Sequence, residues 1–433
     1  MTERSTATLT DSLEQLQGLG APLLVYRDIL TRRPCQAWCA LMTVAAQGDG
    51  PASEMVAAYS EWFYAVCETG YAWPTWIEAQ ILKADNPLSR QAQHQDIAHL
   101  PSGLLQAATI DLHLLQHWAL DAPALIQGAI AARTGQLMPL PDSGANEVSS
   151  TALLHTTQHW SDALPDLVAR YNRMGVGLFA EYKALRWREG QLEGIAHPDA
   201  IGLADLVGYD WQQAALRRNT EALLAGHVAL NVLLYGSRGS GKSAHIKALL
   251  TEYGDRGLRL IELTKADMVH LSDVIEPLRA SALKFIVFID DLSFEEEEDS
   301  YKALKVLLEG TVTARPQNVV VYATSNRRHL IREFFGDRPR PSNAEEVHAW
   351  DTVQEKLSLS DRFGLTLTFE PADQDRYLLI VRHLAAQAGI DLPEDTLTYE
   401  ALQWAVRQNT RSGRTARQFV DYIKGQHHQG ATQ

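Results

Sequence analysis

At 433 residues, with 45% hydrophobic and 21% charged residues, the chain has the make-up of a globular protein of roughly three domains. The formal net charge of −14 argues against broad, sequence-independent binding of nucleic acid, while leaving room for a local basic patch. Three cysteines (Cys35, Cys39, Cys67) are too few for a disulfide scaffold, and no stretch is long and apolar enough to span a membrane, so reduced thiols and a cytoplasmic location are expected.

In chain order, the start MTERSTATLTDSLEQLQ has no apolar run behind its charges and does not read as a signal peptide. Residues 1–190 read as helical, with apolar residues at spacings of three and four, as in Leu13, Leu16, Leu19 or Met55, Tyr59, Phe63. Gly48-Asp49-Gly50-Pro51 and the polar 139–150 segment punctuate them. Seven of the ten tryptophans fall here (Trp38, Trp62, Trp73, Trp76, Trp118, Trp160, Trp187) and read as core packing. His113 with His117, and His155 with His159, share helical faces, but neither pair carries the glutamate of a zinc-protease motif.

Near Glu189-Gly190 the texture changes. Asn231 to Tyr235, Arg259 to Leu263, Phe285 to Asp290, Val319 to Thr324 and Leu365 to Phe369 read as strands. Helical segments such as Ser243 to Tyr253 and Ser300 to Glu309 separate them, which implies an α/β layer with a largely parallel sheet. After Pro371 the pattern returns to helices as far as about Gly425. Three domains are expected: a helical N-terminal region (1–190), an α/β nucleotide domain (191–370) and a small helical lid (371–433).

Gly236-Ser237-Arg238-Gly239-Ser240-Gly241-Lys242-Ser243 follows an expected strand and opens an expected helix. In that setting backbone N–H groups and the helix N-terminus form a positive cradle for phosphates. Lys242 would reach the phosphates, and Ser243 would offer its hydroxyl to Mg²⁺. The run Phe285-Ile-Val-Phe-Ile-Asp290-Asp291 ends a buried strand in two carboxylates, where open α/β sheets bind ligands. Asp290 would hold Mg²⁺ and Asp291 would orient or deprotonate the attacking water. The following Glu295 to Asp299 run reads as a solvated face. Thr264-Lys-Ala-Asp267 looks like a guanine-reading element but precedes the acidic strand instead of following it, so a GTPase is not expected.

These parts, in this order, resemble the AAA+ superfamily. The resemblance implies that Gly208 and Tyr209, in Leu203-Ala-Asp-Leu-Val-Gly-Tyr209, line the base pocket. It makes Asn326 of Ala323-Thr-Ser-Asn326 a sensor of the γ-phosphate. Arg362 of Ser360-Asp-Arg-Phe363 becomes a finger acting on a neighbouring subunit, and Arg417 of Ser412-Gly-Arg-Thr-Ala-Arg417 a second sensor, with Arg414 the runner-up. The stretches NVLLYGSRGSGKS, FIVFIDDLSFEEEEDSYKALKVLLEG, VVVYATSNRRHLI, DTVQEKLSLSDRFGLTLTF and RSGRTARQFV look like one bacterial AAA+ family, the domain-of-unknown-function family 815, most strongly over 165–425. That family implies the fold and ATP binding and no known substrate. Asp290-Asp291 departs from the Asp-Glu of many AAA+ enzymes and resembles bacterial replication initiators, so turnover is expected to be slow and switch-like.

The first expectation is therefore an oligomeric, Mg-ATP-hydrolysing switch or remodeller of a protein partner recognised by the N-terminal helices. A DNA-associated ATPase is the alternative. It is motivated by the Asp-Asp pair and by Arg327, Arg328, His329, Arg332, Arg338 and Arg340, and opposed by the net charge. A nucleotide-gated scaffold with little turnover is the third reading. Thr264 to Lys284 holds no aromatic and no glycine, so a chain-threading pore loop is not expected.

Overall fold

The structure is a computed structural model that describes residues 23–47, 50–142, 153–293, 304, 305, 308, 316–326 and 362–430, the last four as backbone only. The chain divides into two compact units, one ending at Glu181 and the other starting at Tyr182.

The first unit is helical. Its helices are α1 (Arg33–Ala46), α2 (Ala52–Cys67), α3 (Trp73–Lys83), α4 (Pro87–Ala92), α5 (Ser102–Leu120), α6 (Ala122–Thr134), α7 (Leu164–Met174) and α8 (Leu178–Glu181). Local chemistry sets several ends. Proline stands in the first turn of α1, α3, α4, α6 and α7, where its fixed φ and missing N–H cost nothing. Asn86 and Ser89 cap α4 reciprocally, and Gly135 ends α6 in the left-handed region. Trp38, Trp62, Trp73 and Trp76 form one buried cluster, with ring centroids 5.1 to 5.6 Å apart. Trp118 and Trp160 are buried in the same core, as the helical spacing implies. His117 pairs with Asp121 at 2.7 Å and His155 with the buried Glu78 at 3.0 Å, and the described residues contain no metal-binding cluster. Of the cysteines only Cys35 is buried; Cys39 is half-buried and Cys67 exposed.

A buried carboxylate fastens the first described residues of this unit. Asp111, on α5, is 1% exposed and accepts hydrogen bonds from the backbone N–H groups of Leu24, Val25 and Tyr26 at 3.0, 2.7 and 3.0 Å. Such charge-assisted bonds satisfy the buried donors of Val25 and Tyr26, which the surrounding apolar core would otherwise leave bare, and that of the more exposed Leu24.

The second unit opens with a hairpin, β1 (Ala184–Arg188) and β2 (Gln191–Ile195). Its two-residue turn is Glu189-Gly190, both at positive φ (50° and 83°), as a tight hairpin requires. The hairpin's first strand and turn, with Trp187, lie inside the stretch that reads as helical from sequence, and its second strand lies just past that boundary. Its five-residue strands are too short to give a period.

The chain then forms α9 (Asp210–Leu224), β3 (Val232–Gly236), α10 (Lys242–Tyr253), β4 (Leu258–Leu263), α11 (Leu271–Ile275), β5 (Lys284–Ile289), β6 (Val319–Ser325) and β7 (Leu365–Phe369). The described strands make one sheet in the order β2-β1-β4-β5-β6-β3-β7, parallel except for β2. Consecutive residues along β3 (Val232, Leu233, Leu234) and β5 (Phe285 to Ile289) are buried, so the parallel core is covered on both faces. Every strand read from sequence is present to within a residue or so. The expected helix from Ser300 to Glu309 and the Glu295 to Asp299 run lie largely or wholly outside the described residues.

Three helices follow: α12 (Gln374–Gln387), α13 (Glu394–Arg407) and α14 (Gly413–Gly430). Asp373 caps α12 by accepting from Arg376 N at 2.8 Å. The three bury a small core of their own, including Tyr377, Val381, Leu384, Ala401, Phe419 and Val420.

Replacing Asp111 by Ala strands three backbone donors and is expected to destabilise the chain by about 2–4 kcal/mol. Asn, which keeps one acceptor oxygen, should cost less. Urea unfolding followed by tryptophan fluorescence measures both.

Candidate nucleotide site

The strand order decides what meets at the carboxyl edge of the sheet. β6 lies between β3 and β5, so the residues that leave β6 stand between the loop after β3 and the acidic turn after β5. Adjacent strands are about 4.8 Å apart, which puts the ends of β3 and β5 about 10 Å from each other. That gap is bridged by side chains.

Gly236 ends β3 against β7. Its φ is 144°, and an added Cβ would stand 1.9 Å from the carbonyl oxygen of Phe369, so no other residue fits. Ser237 N donates to the same oxygen at 3.1 Å. The loop then turns into α10, whose first residues are Lys242 and Ser243.

Lys242 is 7% exposed, and its Nζ donates to Gly236 O (3.0 Å), Ser237 O (2.7 Å) and Asn326 Oδ1 (3.2 Å). Burial pulls its pKa below the usual lysine value, with Asp290 and Asp291 offsetting part of the shift and Arg238 adding to it. Ser243 Oγ donates to Asp290 Oδ1 at 2.6 Å. The same carboxylate oxygen accepts from Thr324 Oγ1, and from Asp291 N at 3.1 Å. Asn326 closes the circuit by donating Nδ2 to Asp291 Oδ1 at 2.6 Å. Lys242, Asn326 and Asp291 thus form one chain; Ser243, Asp290 and Thr324 form another beside it.

Asp291 sits at φ 52°, in the left-handed region, with its N–H held by Thr324 Oγ1 at 2.9 Å. Leu292 N donates to Thr324 O at 2.7 Å, and Ser325 Oγ donates to Leu292 O at 2.8 Å. The acidic turn is therefore strapped to the end of β6. Non-glycine residues at positive φ cluster where structure over-determines them, as it does here.

A cleft of about 660 Å³ opens over these groups. Phosphate-loop residues Arg238 to Ser243, Asp290, Asp291, Thr324 and Asn326 line one end. Ile201, Leu206, Val207 and Tyr209, with Ile380 and Leu384 from α12, form the mostly apolar remainder of the lining, to which Asp205 also contributes. Arg414 and Arg417 of α14 line the cleft too, and Arg414 N donates to Gly239 O at 3.2 Å. Of the expected base-side pair, Tyr209 lines the cleft. Its ring lies 4.8 Å from Phe369 and under the Arg376 guanidinium at 4.9 Å, and its hydroxyl donates to Glu370 O. Gly208 does not line it; it turns the chain at φ 88°, where an added Cβ would strike Arg376.

Arg362 does not reach the cleft. It precedes β7, and the neighbouring Gly364 packs on Leu230, just ahead of β3, at the amino-terminal edge of the sheet. The five residues of β7 alone rise about 16 Å, more than an arginine spans. The cluster Arg327, Arg328, His329, Arg332, Arg338 and Arg340 lies outside the described residues. Sequence reasoning passes over Thr324, His245 and the apolar wall from Ile201, Val207, Ile380 and Leu384. Thr324 stands inside the quoted Ala-Thr-Ser-Asn run, but the wall joins segments almost two hundred positions apart and leaves no local pattern.

A family model described as "Protein of unknown function (DUF815)" matches residues 180–427. The chain belongs to this family. No curated protein matches it in sequence. Among solved structures, Thermotoga maritima RuvB, titled a Holliday junction branch migration motor, is similar at 12% identity over 51% of this chain and 71% of that one, with a TM-score of 0.32. A point variant of the same protein matches at 14% identity over 52% and 65%, with a TM-score of 0.35. A likeness this distant says nothing about activity. The DUF815 chain has an AAA+ P-loop α/β fold by its own construction: a parallel core, a phosphate loop after β3, an acidic pair after β5, a polar tip on β6 and a helical bundle behind β7.

Thr324→Ala removes a donor to Asp290 and an acceptor for Asp291 N. It should lower stability by about 1–2 kcal/mol, with Thr324→Ser close to the parent, as read from denaturant midpoints.

Proposed function

We propose that this DUF815 protein binds Mg-ATP in the cleft, hydrolyses it as a homo-oligomer, and uses the cycle to switch or remodel a protein partner. The observation that carries the reading is the convergence of Lys242, Ser243, Asp290, Asp291 and Asn326 through side-chain hydrogen bonds at one end of a cleft whose other end is mostly apolar. The polar end suits a triphosphate, and the apolar end suits a flat base.

The backbone N–H groups from Gly236 to Ser243 and the start of α10 face the phosphates. Lys242 exchanges its carbonyl partners for phosphate oxygens. Ser243 and Asp290 would hold Mg²⁺ with the hard oxygen donors it favours, and the ion would supply positive charge against the phosphates. Asp291 accepts a proton from the attacking water, whose oxygen forms the new bond to the γ-phosphorus as the bond to the bridging oxygen breaks and ADP leaves. Asn326, already between Lys242 and Asp291, holds that water and the γ-phosphate in line. Arg417, and Arg414 beside it, add positive charge from the lid side.

Arg362 acts in trans. Its place at the far edge of its own sheet, away from its own cleft, supports a role at the cleft of a neighbouring copy. The helical unit ending at Glu181 has a core separate from the nucleotide domain and is the proposed partner-recognition module. The lid comprises the helices after 371.

Lys242→Ala should weaken ATP binding about tenfold to a hundredfold, read by equilibrium titration. Asp291→Asn should keep binding and lose turnover. Arg362→Ala should keep binding and lower turnover by about a thousandfold. Mixed Asp291→Asn and Arg362→Ala proteins should recover part of the activity. Assembled mixtures with no recovery would sink the trans assignment, and a parent protein that binds no ATP would sink the reading altogether.

A further inference from the structure

A second cavity, which shares no lining residue with the nucleotide cleft, lies between α10 and the sheet, toward the β2 edge. Its volume is about 210 Å³. At about 30 Å³ per water molecule that is room for roughly seven waters, the size of a free amino acid and too small for a nucleotide.

Strand alternation decides which side chains meet there. Leu258, Leu260 and Glu262 of β4 point to the face that α10 covers. Ala184 pairs with Leu260 and with Ile195, and Phe288 pairs with Glu262, so these residues share that face. With Leu250 of α10 they give the cavity an apolar floor. Glu262 interrupts this stripe with a half-buried carboxylate that lines the cavity. Lys247, half-buried and one helical turn before Leu250, lines it as well. Among the described residues neither charge has a hydrogen bond or an ion pair. The exposed His197 and Asp199, in the loop after β2, complete the wall and add a second carboxylate.

A half-buried charge without a partner has lost hydration and recovered nothing for it. The signs on this wall discriminate between ligands. An acid pairs with Lys247 but faces two carboxylates. An amine pairs with Glu262 but faces Lys247. A zwitterion satisfies both signs, and an apolar body on it covers Leu250, Leu260 and Phe288.

We propose that this cavity binds a free α-amino acid with an aliphatic side chain. Lys247 takes its carboxylate, Glu262 with Asp199 takes its ammonium group, and the side chain lies on the apolar floor. The site does not depend on the reading of the nucleotide cleft, although α10 and β5 carry residues of both: Lys242 and Lys247 on the helix, Phe288 two positions before Asp290.

The test is titration calorimetry on the full chain without nucleotide, using L-leucine and four analogues. Isoamylamine lacks the carboxylate, and 4-methylpentanoate lacks the ammonium group. L-leucinamide stands for a peptide amino terminus, and L-serine keeps the charges without the aliphatic body. The parent should bind L-leucine about tenfold more tightly than any of the four. Lys247→Met should weaken L-leucine about tenfold and leave isoamylamine no weaker; Glu262→Gln should weaken L-leucine about tenfold and leave 4-methylpentanoate no weaker. Thermal midpoints of the variants show whether they fold, and the analogue series on the parent decides the matter where one does not. No binding of L-leucine at millimolar concentration overturns the proposal. So does a parent that binds isoamylamine, L-leucinamide or L-serine as tightly as L-leucine, or a folded variant that binds L-leucine as the parent does.

Discussion

The position of β6 between β3 and β5 is the constraint from which the site follows. A phosphate loop and an acidic turn on neighbouring strands would touch directly and leave no gap for a third group. Here the intervening strand ends in Thr324-Ser325-Asn326, and each of these three fastens something. Thr324 holds both aspartates, Ser325 holds the Leu292 carbonyl, and Asn326 spans from Asp291 to Lys242. One strand tip thereby fixes the distance between Lys242 and Asp291. Pre-positioned polar groups of this kind need no reorganisation when charge develops, which is where most catalytic stabilisation arises.

The helices after Pro371 bear on the same edge. α14 begins with its backbone on the phosphate-loop tip, through Arg414 N and Gly239 O. α12 covers Tyr209 with Arg376 and holds Asp205 with Gln387 at 2.7 Å. These tethers run from the bundle to the loop and to the base-side segment. The bundle also contributes Ile380 and Leu384 to the cleft wall and Arg414 and Arg417 to its polar side. A ligand that fills the cleft must therefore touch both the sheet and the bundle, so occupancy has a mechanical consequence for where the bundle sits. That gives a physical reason why a bundle of three helices follows the sheet.

Much of this was legible in the residues. The phosphate loop, the acidic pair and the core strands are local patterns: a glycine spacing, an apolar run with a charged end, a repeat of β-type segments. Asn326 was legible only as a member of an order of motifs, because a lone asparagine after a strand carries no chemistry of its own. Three features were not legible. The 184–195 hairpin mixes charged and apolar residues in strands too short to show alternation. The apolar wall pairs Ile201 and Val207 with Ile380 and Leu384, which only tertiary packing brings together. His245 reads as one more residue of a helical segment, and only the fold shows it buried between Tyr209 and Phe369.

The paired aspartates acquire a backbone explanation. From sequence alone, Asp291 in place of the usual glutamate is a departure that puts the handling of water in question. In the fold, position 291 lies at φ 52°. Among residues that carry a side chain, Asp and Asn tolerate that region best, because a short polar side chain can bond locally. The turn needs that conformation to bring Leu292 N back to Thr324 O and Asp291 N to Thr324 Oγ1. A longer glutamate would meet more strain in the backbone and would carry its carboxylate past the Asn326 amide that now holds it. The shorter acid is thus the one that fits a turn laced to β6.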